Sequence, residues 1–316
     1  MKMMKTMNVG LFVAGLFLSS FSMAAPLGSQ GAVIAPDKLA MAERSTLTRA
    51  IAAERVAKPA AFETLVRLRD DLPTLDANKR GRAVPVSAIL KGMGSDALFP
   101  MLNEIAFDAR GRDGLSDSAW KSWRVGLVEA VGFLRDGRSA PVLTAILDGA
   151  ETDYDLVRAA AGAYGKLGTD AAAQKLVMMA RQKDAKQLAV LAGMGHCRRS
   201  LAATELAAML LAQPNEPMAK VIAHSLGDIG SAWAWKTPIV KASGEENAVR
   251  TAAAKALVAS YLRYDGEVRS TIGKAVLMVD HADTLSLIDA QKRSVRPDQQ
   301  VILDELAARF KKSPLH

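Results

Sequence analysis

Two stretches near the middle of the chain decide the fold: Leu156-Val-Arg-Ala-Ala-Ala-Gly-Ala-Tyr-Gly-Lys-Leu-Gly168 and Ala219-Lys-Val-Ile-Ala-His-Ser-Leu-Gly-Asp-Ile-Gly230. Both are rich in alanine, which favours helix formation, and both end in a Gly-x-aliphatic-Gly turn. Glycine adopts positive φ readily, so it can close such a helix with a left-handed cap. The two stretches therefore indicate one structural unit that is used more than once.

Further copies of this unit follow at a regular spacing. Similar turns occur at Gly132-Phe-Leu-Arg135 and Gly195-His-Cys-Arg198, and the helix Val249-Arg-Thr-Ala-Ala-Ala-Lys-Ala-Leu257 matches the Leu156 stretch without its glycines. Successive landmarks are separated by 33, 30, 32 and 30 residues, from Gly132 through Gly165, Gly195 and Gly227 to Leu257. A period near 31 residues is typical of a helical array.

Each unit continues with a second helix that carries an aliphatic face. Its residues recur at helical spacing, as in Ala173, Leu176, Val177 and Ala180, and again in Leu201, Leu206, Met209 and Leu210. One helical hairpin cannot bury this face alone, so neighbouring hairpins must stack. The sequence therefore predicts an all-α protein, an α-solenoid of stacked helical hairpins with helical caps at both ends.

The repeated pattern resembles HEAT repeats, and most closely the short HEAT-like repeats first described in phycobilisome lyases. The resemblance covers roughly residues 86–263 and is strongest over 123–263. It implies an armadillo-like α-solenoid and, usually, a scaffold or binding role, but it is nearly silent on chemistry. Tetratricopeptide arrays, the alternative, keep a stricter 34-residue period and an aromatic pattern that is not seen here.

The resemblance also implies a ladder of ion pairs between repeats. Arg158 and Arg250 match the family's arginine near the start of the first helix, and Lys220 substitutes for it. Acids in the turns would be their partners, with Asp136, Asp170 and Asp228 as candidates. The repeat that ends at Gly195 has Leu188 in place of the arginine, so we expect irregular stacking around residues 185–200.

Composition and the first residues indicate export. The chain has 316 residues, and its 41 Lys plus Arg against 33 Asp plus Glu give a formal charge of +8. Residues 1–24 combine a basic start, a short apolar run and a small-x-small end, which predicts a signal peptide cleaved after Ala24; an uncleaved membrane anchor is the alternative. The mature chain, periplasmic or secreted, would carry +6, since Lys2 and Lys5 leave with the signal. No stable membrane span is expected after cleavage.

The rest of the chain divides into regions around the repeats. We expect a flexible leader over 25–36, an N-terminal helical cap over 37–85 with Pro59 and Pro73 as breaks, and HEAT-like repeats over 86–265. An inserted loop occupies 108–118 within the repeats. Closing helices are expected over 266–316, at 266–280, 282–294 and 298–312.

No catalytic, cofactor or metal motif is evident. The Gly-x-Ser-x-Gly, His-Glu-x-x-His and phosphate-loop patterns do not occur, and the acids of the 108–118 loop miss the spacing of a calcium loop. The sequence has no second cysteine with which Cys197 could form a disulfide. Together with the adjacent His196, Cys197 would supply only two of the four ligands of a zinc site. We therefore predict a non-enzyme without a cofactor, while an active site assembled from distant residues stays open.

The aromatic residues are the best candidates for a binding surface. They comprise two tryptophan pairs and one mixed cluster: Trp120, Trp123, Trp233, Trp235, Tyr261, Arg263 and Tyr264. Large aromatics often anchor partners, but they also fill irregular layers of a core. Both interpretations stay open for these residues.

Three functions fit the sequence. The first is an exported, non-enzymatic scaffold that binds a protein or peptide in the cell envelope, with an acidic partner favoured by the basic excess. The second is an accessory or lyase-like protein that holds a tetrapyrrole-type or other small ligand. The third is a structural spacer. A nucleic-acid partner is not expected, because the lysines and arginines do not cluster densely.

Overall fold

The computed structural model describes residues 30–81, 83–112 and 114–313. The predicted signal peptide, 1–24, lies outside these residues. All regular structure in the described residues is helical, without a β-strand, which confirms the all-α prediction. One continuous core of buried apolar side chains runs through these helices.

Sixteen α-helices occur in this part of the chain. In chain order they are α1 (Met41–Ala57), α2 (Pro59–Ala77), α3 (Val86–Gly92), α4 (Leu98–Ala106), α5 (Asp117–Leu134), α6 (Ala140–Asp148), α7 (Tyr154–Lys166), α8 (Asp170–Arg181), α9 (Gln187–Met194), α10 (Ser200–Leu211), α11 (Glu216–Gly230), α12 (Pro238–Lys241), α13 (Glu246–Ser260), α14 (Gly266–Val279), α15 (Thr284–Lys292) and α16 (Pro297–Lys311).

The helices pack in two series. In the first, α3, α5, α7, α9, α11 and α14 contact one another in turn. In the second, α4 contacts α6, and α8, α10, α13 and α15 contact in turn. Contacts between the series, such as those of α6 with α7 and of α10 with α11, connect helices that follow one another in the chain.

The turn glycines have two roles, of which the sequence suggested one. Gly168 has the positive φ expected of a glycine that closes the first helix, whereas in the Gly132–Arg135 turn the positive φ falls on Arg135. A Cβ built on Gly165 would lie 2.8 Å from the Cβ of Cys197, and one on Gly195 would lie 3.1 Å from the Cα of Ser225. These glycines are required because the helix of the next repeat passes too close for any side chain.

After α11 the order in which the helices join the two series changes. The helix α13 was expected to be a first helix like α7, but this is wrong: α13 packs on α10 in the second series, and α14 follows α11 in the first. The reason is an insertion over residues 231–245, which contains α12 and leads the chain across to α10. Trp235 of this insertion is buried, and its indole N–H donates to the Ile229 carbonyl at 2.9 Å.

The expected flexible leader is ordered where the structure describes it. The backbone N–H groups of Ala32 and Val33 donate to the carbonyls of Glu104 and Ile105 at the end of α4, at 2.8 and 3.0 Å. A Cβ on Gly31 would overlap the Ile105 carbonyl oxygen. Since the last carbonyls of a helix lack partners within the helix, this segment satisfies two of them, and the prediction of flexibility is wrong for residues 31–34.

The predicted boundaries are otherwise close to those observed, with two exceptions. Pro59 begins α2 as a break should, but Pro73 lies inside α2 instead of ending it. The 185–200 region also stacks more regularly than expected: α9 is short, yet it contacts both α7 and α11. Gly193 makes this packing close, because a Cβ there would lie 2.5 Å from the Cβ of Ala161.

We predict opposite effects for alanine at two helical glycines. Gly193→Ala should destabilise the protein by about 1–3 kcal/mol, because overpacking against α7 exceeds the gain in helix propensity. Gly92→Ala is the control: its Cβ would enter open space, so we expect no loss and a gain of up to about 1 kcal/mol. Urea denaturation measures both. Equal effects at the two sites would contradict the close-packing account.

Candidate binding surface around residues 231–245

The first tryptophan pair does not form a surface. Trp123 is 0% exposed, and its indole N–H donates to Glu104 Oε1 at 3.0 Å. Burial raises the pKa of Glu104, while the hydrogen bond from Trp123 and the charge of Arg69 oppose that shift. Trp120 is half-buried, with the Arg69 guanidinium 5.8 Å from its ring centre. Trp123 is therefore a core residue, because it seals the junction of α4 with α5.

The mixed aromatic cluster is also largely structural. Tyr261 is buried. The Tyr264 hydroxyl donates to the Pro214 carbonyl at 3.0 Å, and the exposed Arg263 donates to the Leu211 carbonyl at 2.9 Å. These bonds tie the turn after α13 to the end of α10, so this cluster holds two helices of the second series together.

The second tryptophan pair divides between core and surface. Trp235 is buried, whereas Trp233 is 62% exposed. The Lys236 ammonium lies 4.0 Å from the Trp233 ring centre, a distance that suits a cation–π contact. Of the tryptophans predicted to bind a partner, Trp233 is thus the one that the structure presents to solvent.

The expected ladder pairs are not formed. Arg158 pairs with Glu129 at 3.1 Å, and Lys220 pairs with Glu267. The candidate acids have other partners: Asp136 binds Arg138 in its own turn, Asp170 binds Arg199, and Asp228 lies 3.7 Å from His224. Of the three candidate acids only Asp136 lies in a turn, since Asp170 begins α8 and Asp228 lies within α11, and none of them pairs with the cation expected.

A different ladder links the repeats. Arg135 donates to the Lys166 carbonyl at 2.7 Å, Arg198 to the Asp228 carbonyl at 3.4 Å, and Arg250 to the Val279 carbonyl at 3.0 Å. Each guanidinium thus reaches a carbonyl at the end of a helix about 30 residues further along. Helix C-termini favour cations. Arg135 and Arg198 occupy the fourth position of the turns Gly132–Arg135 and Gly195–Arg198, a signal that the sequence already carried.

The insertion over 231–245 forms the most distinctive surface of the protein. Trp233 and Ile239 are each 62% exposed, and the same segment carries the exposed lysines Lys236 and Lys241. We call these four residues the insertion surface. A cavity of about 390 Å³ adjoins it, lined by Ala232, Trp233, Trp235, Lys236, Lys241, Glu246, Arg250 and Asp280. The segment that interrupts the repeat therefore exposes a tryptophan, an isoleucine and two lysines, and the acids Glu246 and Asp280 lie with the lysines in the adjoining cavity.

A larger groove crosses the first series. It has a volume of about 940 Å³ and lies over the small residue Ala192 of α9, between Tyr154 and the exposed sides of α11 and α14. Glu216, Lys220, Glu267 and Lys274 stand at its rim, and Lys220 and Glu267 pair with each other across it. Because acids and lysines are mixed at its rim and partly paired, this groove favours neither an acidic nor a basic partner.

Of the two residues that could have carried chemistry, Cys197 is buried and His196 is half-buried. Burial raises the pKa of Cys197 to about 12, and burial together with Lys166 and Arg198 lowers the pKa of His196 to about 3. Cys197 is therefore a protonated thiol and His196 a neutral imidazole at physiological pH. In the described ranges no group of three or more His, Cys, Asp or Glu side chains could hold a metal ion.

The chain matches no protein-family model, and it has no significant match among curated proteins. Among the described helices, none is both long and apolar enough to cross a bilayer.

We predict that Cys197 is unreactive in the folded protein. At pH 8 only about one thiol in ten thousand would be ionised at the raised pKa, and the sulfur is also buried. An aromatic disulfide reagent should label no thiol within minutes under native conditions and one thiol per chain in denaturant. Rapid native labelling would show that the environment of Cys197 opens.

Proposed function

We propose that the protein is an exported, non-enzymatic HEAT-like repeat protein that binds a protein or peptide partner in the cell envelope. The partner would dock on the insertion surface through apolar side chains flanked by acidic residues. The observation that carries this proposal is the exposure of Trp233 and Ile239 on one insertion that also carries Lys236 and Lys241.

The α-solenoid is part of this proposal. It is supported by the serial contacts of the two sets of helices. It is also supported by the close approach at Gly165, Gly193 and Gly195 and by the arginine ladder with its step of about 30 residues. In an α-solenoid each repeat contacts only its neighbours, which leaves a long surface available for binding.

The chemistry of the insertion surface favours an acidic partner. A tryptophan beside a lysine buries a large apolar area at a partner interface, and tryptophan is enriched among residues that dominate binding energy. Rim cations mainly accelerate encounter and select the sign of the partner's charge. The excess of lysine and arginine over the whole chain acts in the same direction.

Export to the periplasm or the medium rests on residues 1–24. The basic start, the apolar run and Ala24 support a cleaved signal peptide. The buried, protonated state of Cys197 suits an oxidising compartment, because an inaccessible thiol is protected from mixed disulfides.

The alternatives receive less support. A lyase-like protein that attaches a tetrapyrrole would need an accessible nucleophile, and the thiol of Cys197 is buried with a pKa raised to about 12. A purely structural spacer does not require a tryptophan and an isoleucine on one exposed insertion. The scaffold is therefore the function that the geometry supports best.

We expect the double variant Trp233→Ala/Ile239→Ala to lose partner binding while it keeps its fold. The protein is immobilised and exposed to envelope extract, and partners are quantified per folded molecule. Retention of the main partner should fall at least about tenfold, since two buried anchors contribute more than about 1.4 kcal/mol. Adding salt should weaken wild-type binding, because rim charges are screened.

The matched control is Val56→Ala/Val301→Ala, which trims two apolar residues that are 84% and 58% exposed elsewhere on the protein. Both double variants should unfold at nearly the wild-type temperature, because surface substitutions usually change stability by less than about 0.5 kcal/mol. If the control and the test variant retain the partner equally, the insertion surface is not the docking site. Capture of nothing specific by any form would favour the spacer.

We predict an elongated mature chain. A compact protein of its length would have a radius of gyration of about 19 Å, and an open array should exceed that value clearly. Small-angle scattering of the monomeric peak from size exclusion measures it. A value at or below about 19 Å would contradict the solenoid.

A further inference from the structure

A second cavity, on the other side of α12, is lined almost entirely by cations and small or apolar groups. Its volume is about 270 Å³. Its charged residues are Arg135, Lys166, Arg198 and Arg199, and its remaining lining is Gly165, Leu167, Gly168, Ile239, Val240, Ala242 and Ser243. No carboxylate belongs to this lining, although acids are frequent elsewhere in the turns.

The cations of this cavity are neutralised unequally. Arg199 pairs with Asp170 and with Glu245, the latter at 2.8 Å. Arg135 and Arg198 donate to backbone carbonyls, which carry only partial charge. The Lys166 ammonium makes no hydrogen bond or ion pair with any residue in the described ranges. The net positive charge therefore concentrates on Lys166, Arg135 and Arg198.

Helix capping explains part of this arrangement but not all of it. Arg135 and Arg198 each stabilise the end of the next helix, so their presence needs no ligand. Lys166 also lies in the last turn of a helix, α7, but its ammonium donates to none of the described carbonyls, and Arg198 Nε is buried without a hydrogen-bond partner. Buried donors are normally satisfied in folded proteins. A partner group that accepts hydrogen bonds and carries negative charge would complete both residues.

The electrostatics of the cavity agree with its geometry. Burial and the charges of Lys91, Arg135 and Arg198 lower the pKa of Lys166 to about 8, against the opposing effect of Glu129. Burial and Arg135 lower the pKa of Arg198 to about 10, against the opposing charge of Asp228. Burial and neighbouring positive charges thus destabilise the cationic forms of Lys166 and Arg198, and a bound anion would oppose that effect.

We propose that this cavity binds a phosphate-type oxyanion, held by Lys166, Arg135 and Arg198. Guanidinium groups match the oxygen geometry of phosphate, and the ammonium adds a compact charge. A dianion would neutralise more of the three charges than a single carboxylate. The cavity is smaller than typical pockets for drug-sized ligands, so it suits free phosphate or a small phosphomonoester. This inference goes beyond the proposed partner binding and does not depend on it.

Lys166→Met tests the site, with Lys183→Met as a control that removes the same charge from an exposed lysine outside the cavity. Sulfate, which stays dianionic from pH 6 to 10, is titrated at constant ionic strength against chloride. Wild type and Lys183→Met should gain thermal stability as sulfate rises, because a ligand that binds only the folded state stabilises it. Lys166→Met should lose this response.

In chloride alone, Lys166→Met should unfold at a higher temperature than wild type, because the variant removes a half-buried, uncompensated charge. Residues adapted for binding commonly lower stability in this way. A purely structural lysine would show the reverse. Lys166→Arg keeps the charge and should retain the sulfate response. Equal responses of wild type and Lys166→Met would overturn the proposal.

The pH dependence supplies a second readout. Sulfate should bind the protonated form of Lys166, so its affinity is full below pH 8 and falls as pH rises through that value. Between pH 7 and pH 9 calorimetry should show a loss of about tenfold in wild type and a much smaller loss in Lys166→Arg, whose guanidinium stays charged. His196, with a pKa near 3, stays neutral throughout. A flat wild-type profile would exclude Lys166 from the site.

Two further experiments distinguish free phosphate from a phosphomonoester as the ligand, and the anion cavity from the insertion surface. Inorganic phosphate and glycerol 3-phosphate are compared by competition with sulfate: tighter binding of the ester indicates a phosphomonoester ligand, and tighter binding of phosphate indicates the free ion. If neither competes, the phosphate assignment is wrong. The single variant Trp233→Ala, at a residue that does not line this cavity, should keep its response to sulfate, so failure of the insertion surface and failure of the anion site are distinguishable.

Discussion

Close approach of successive helices is the constraint on which this structure depends. Gly193 in α9 stands against Ala161 in α7, and Gly195 stands against Ser225 in α11, with no room for another carbon. Interhelical distance is set by the side chains at the contact, so glycine and alanine at these positions fix the spacing of the first series. The arginine ladder follows from the same spacing, because Arg135 and Arg198 reach the next helix end only when that end is near.

Interruption of this regularity creates both surfaces to which we assign binding. Residues 231–245 move the chain from α11 to α13 in the second series, and α14 then takes the next place in the first. Trp235 anchors the insertion from within. The outer side of the same short segment bears Trp233 and Ile239, and α12 also closes the cationic cavity over Lys166. The insertion over 231–245 therefore bears the exposed Trp233 and Ile239 and also lines the cavity to which we assign anion binding.

The sequence predicts where the helices lie better than it predicts which helices pack against each other. Alanine content and glycine spacing identify the helices, and the start of α3 at Val86 and the three closing helices agree with the predicted bounds. The period could not assign α13, because Val249–Leu257 has the composition of a first helix and only the insertion decides its place. The burial of Trp123 was equally hidden, since its partner Glu104 lies on a different helix. Lys166 is ordinary in the sequence, and its character comes from Lys91, Arg135 and Arg198, which the fold brings together.

The seating of residues 31–34 on α4 has a consequence for maturation of the chain. Gly31 fits against Ile105 only because it has no side chain, and Arg124 of α5 donates to the Ala32 carbonyl at 2.9 Å. An exopeptidase that trims the amino end would meet secured backbone here, since proteolysis requires a segment to detach into an extended form. Removal of this segment would uncover two carbonyls at the end of α4 and leave Arg124 with Glu151 as its partner. Trimming that proceeds past Gly31 should therefore cost stability that trimming up to that residue does not take from these contacts.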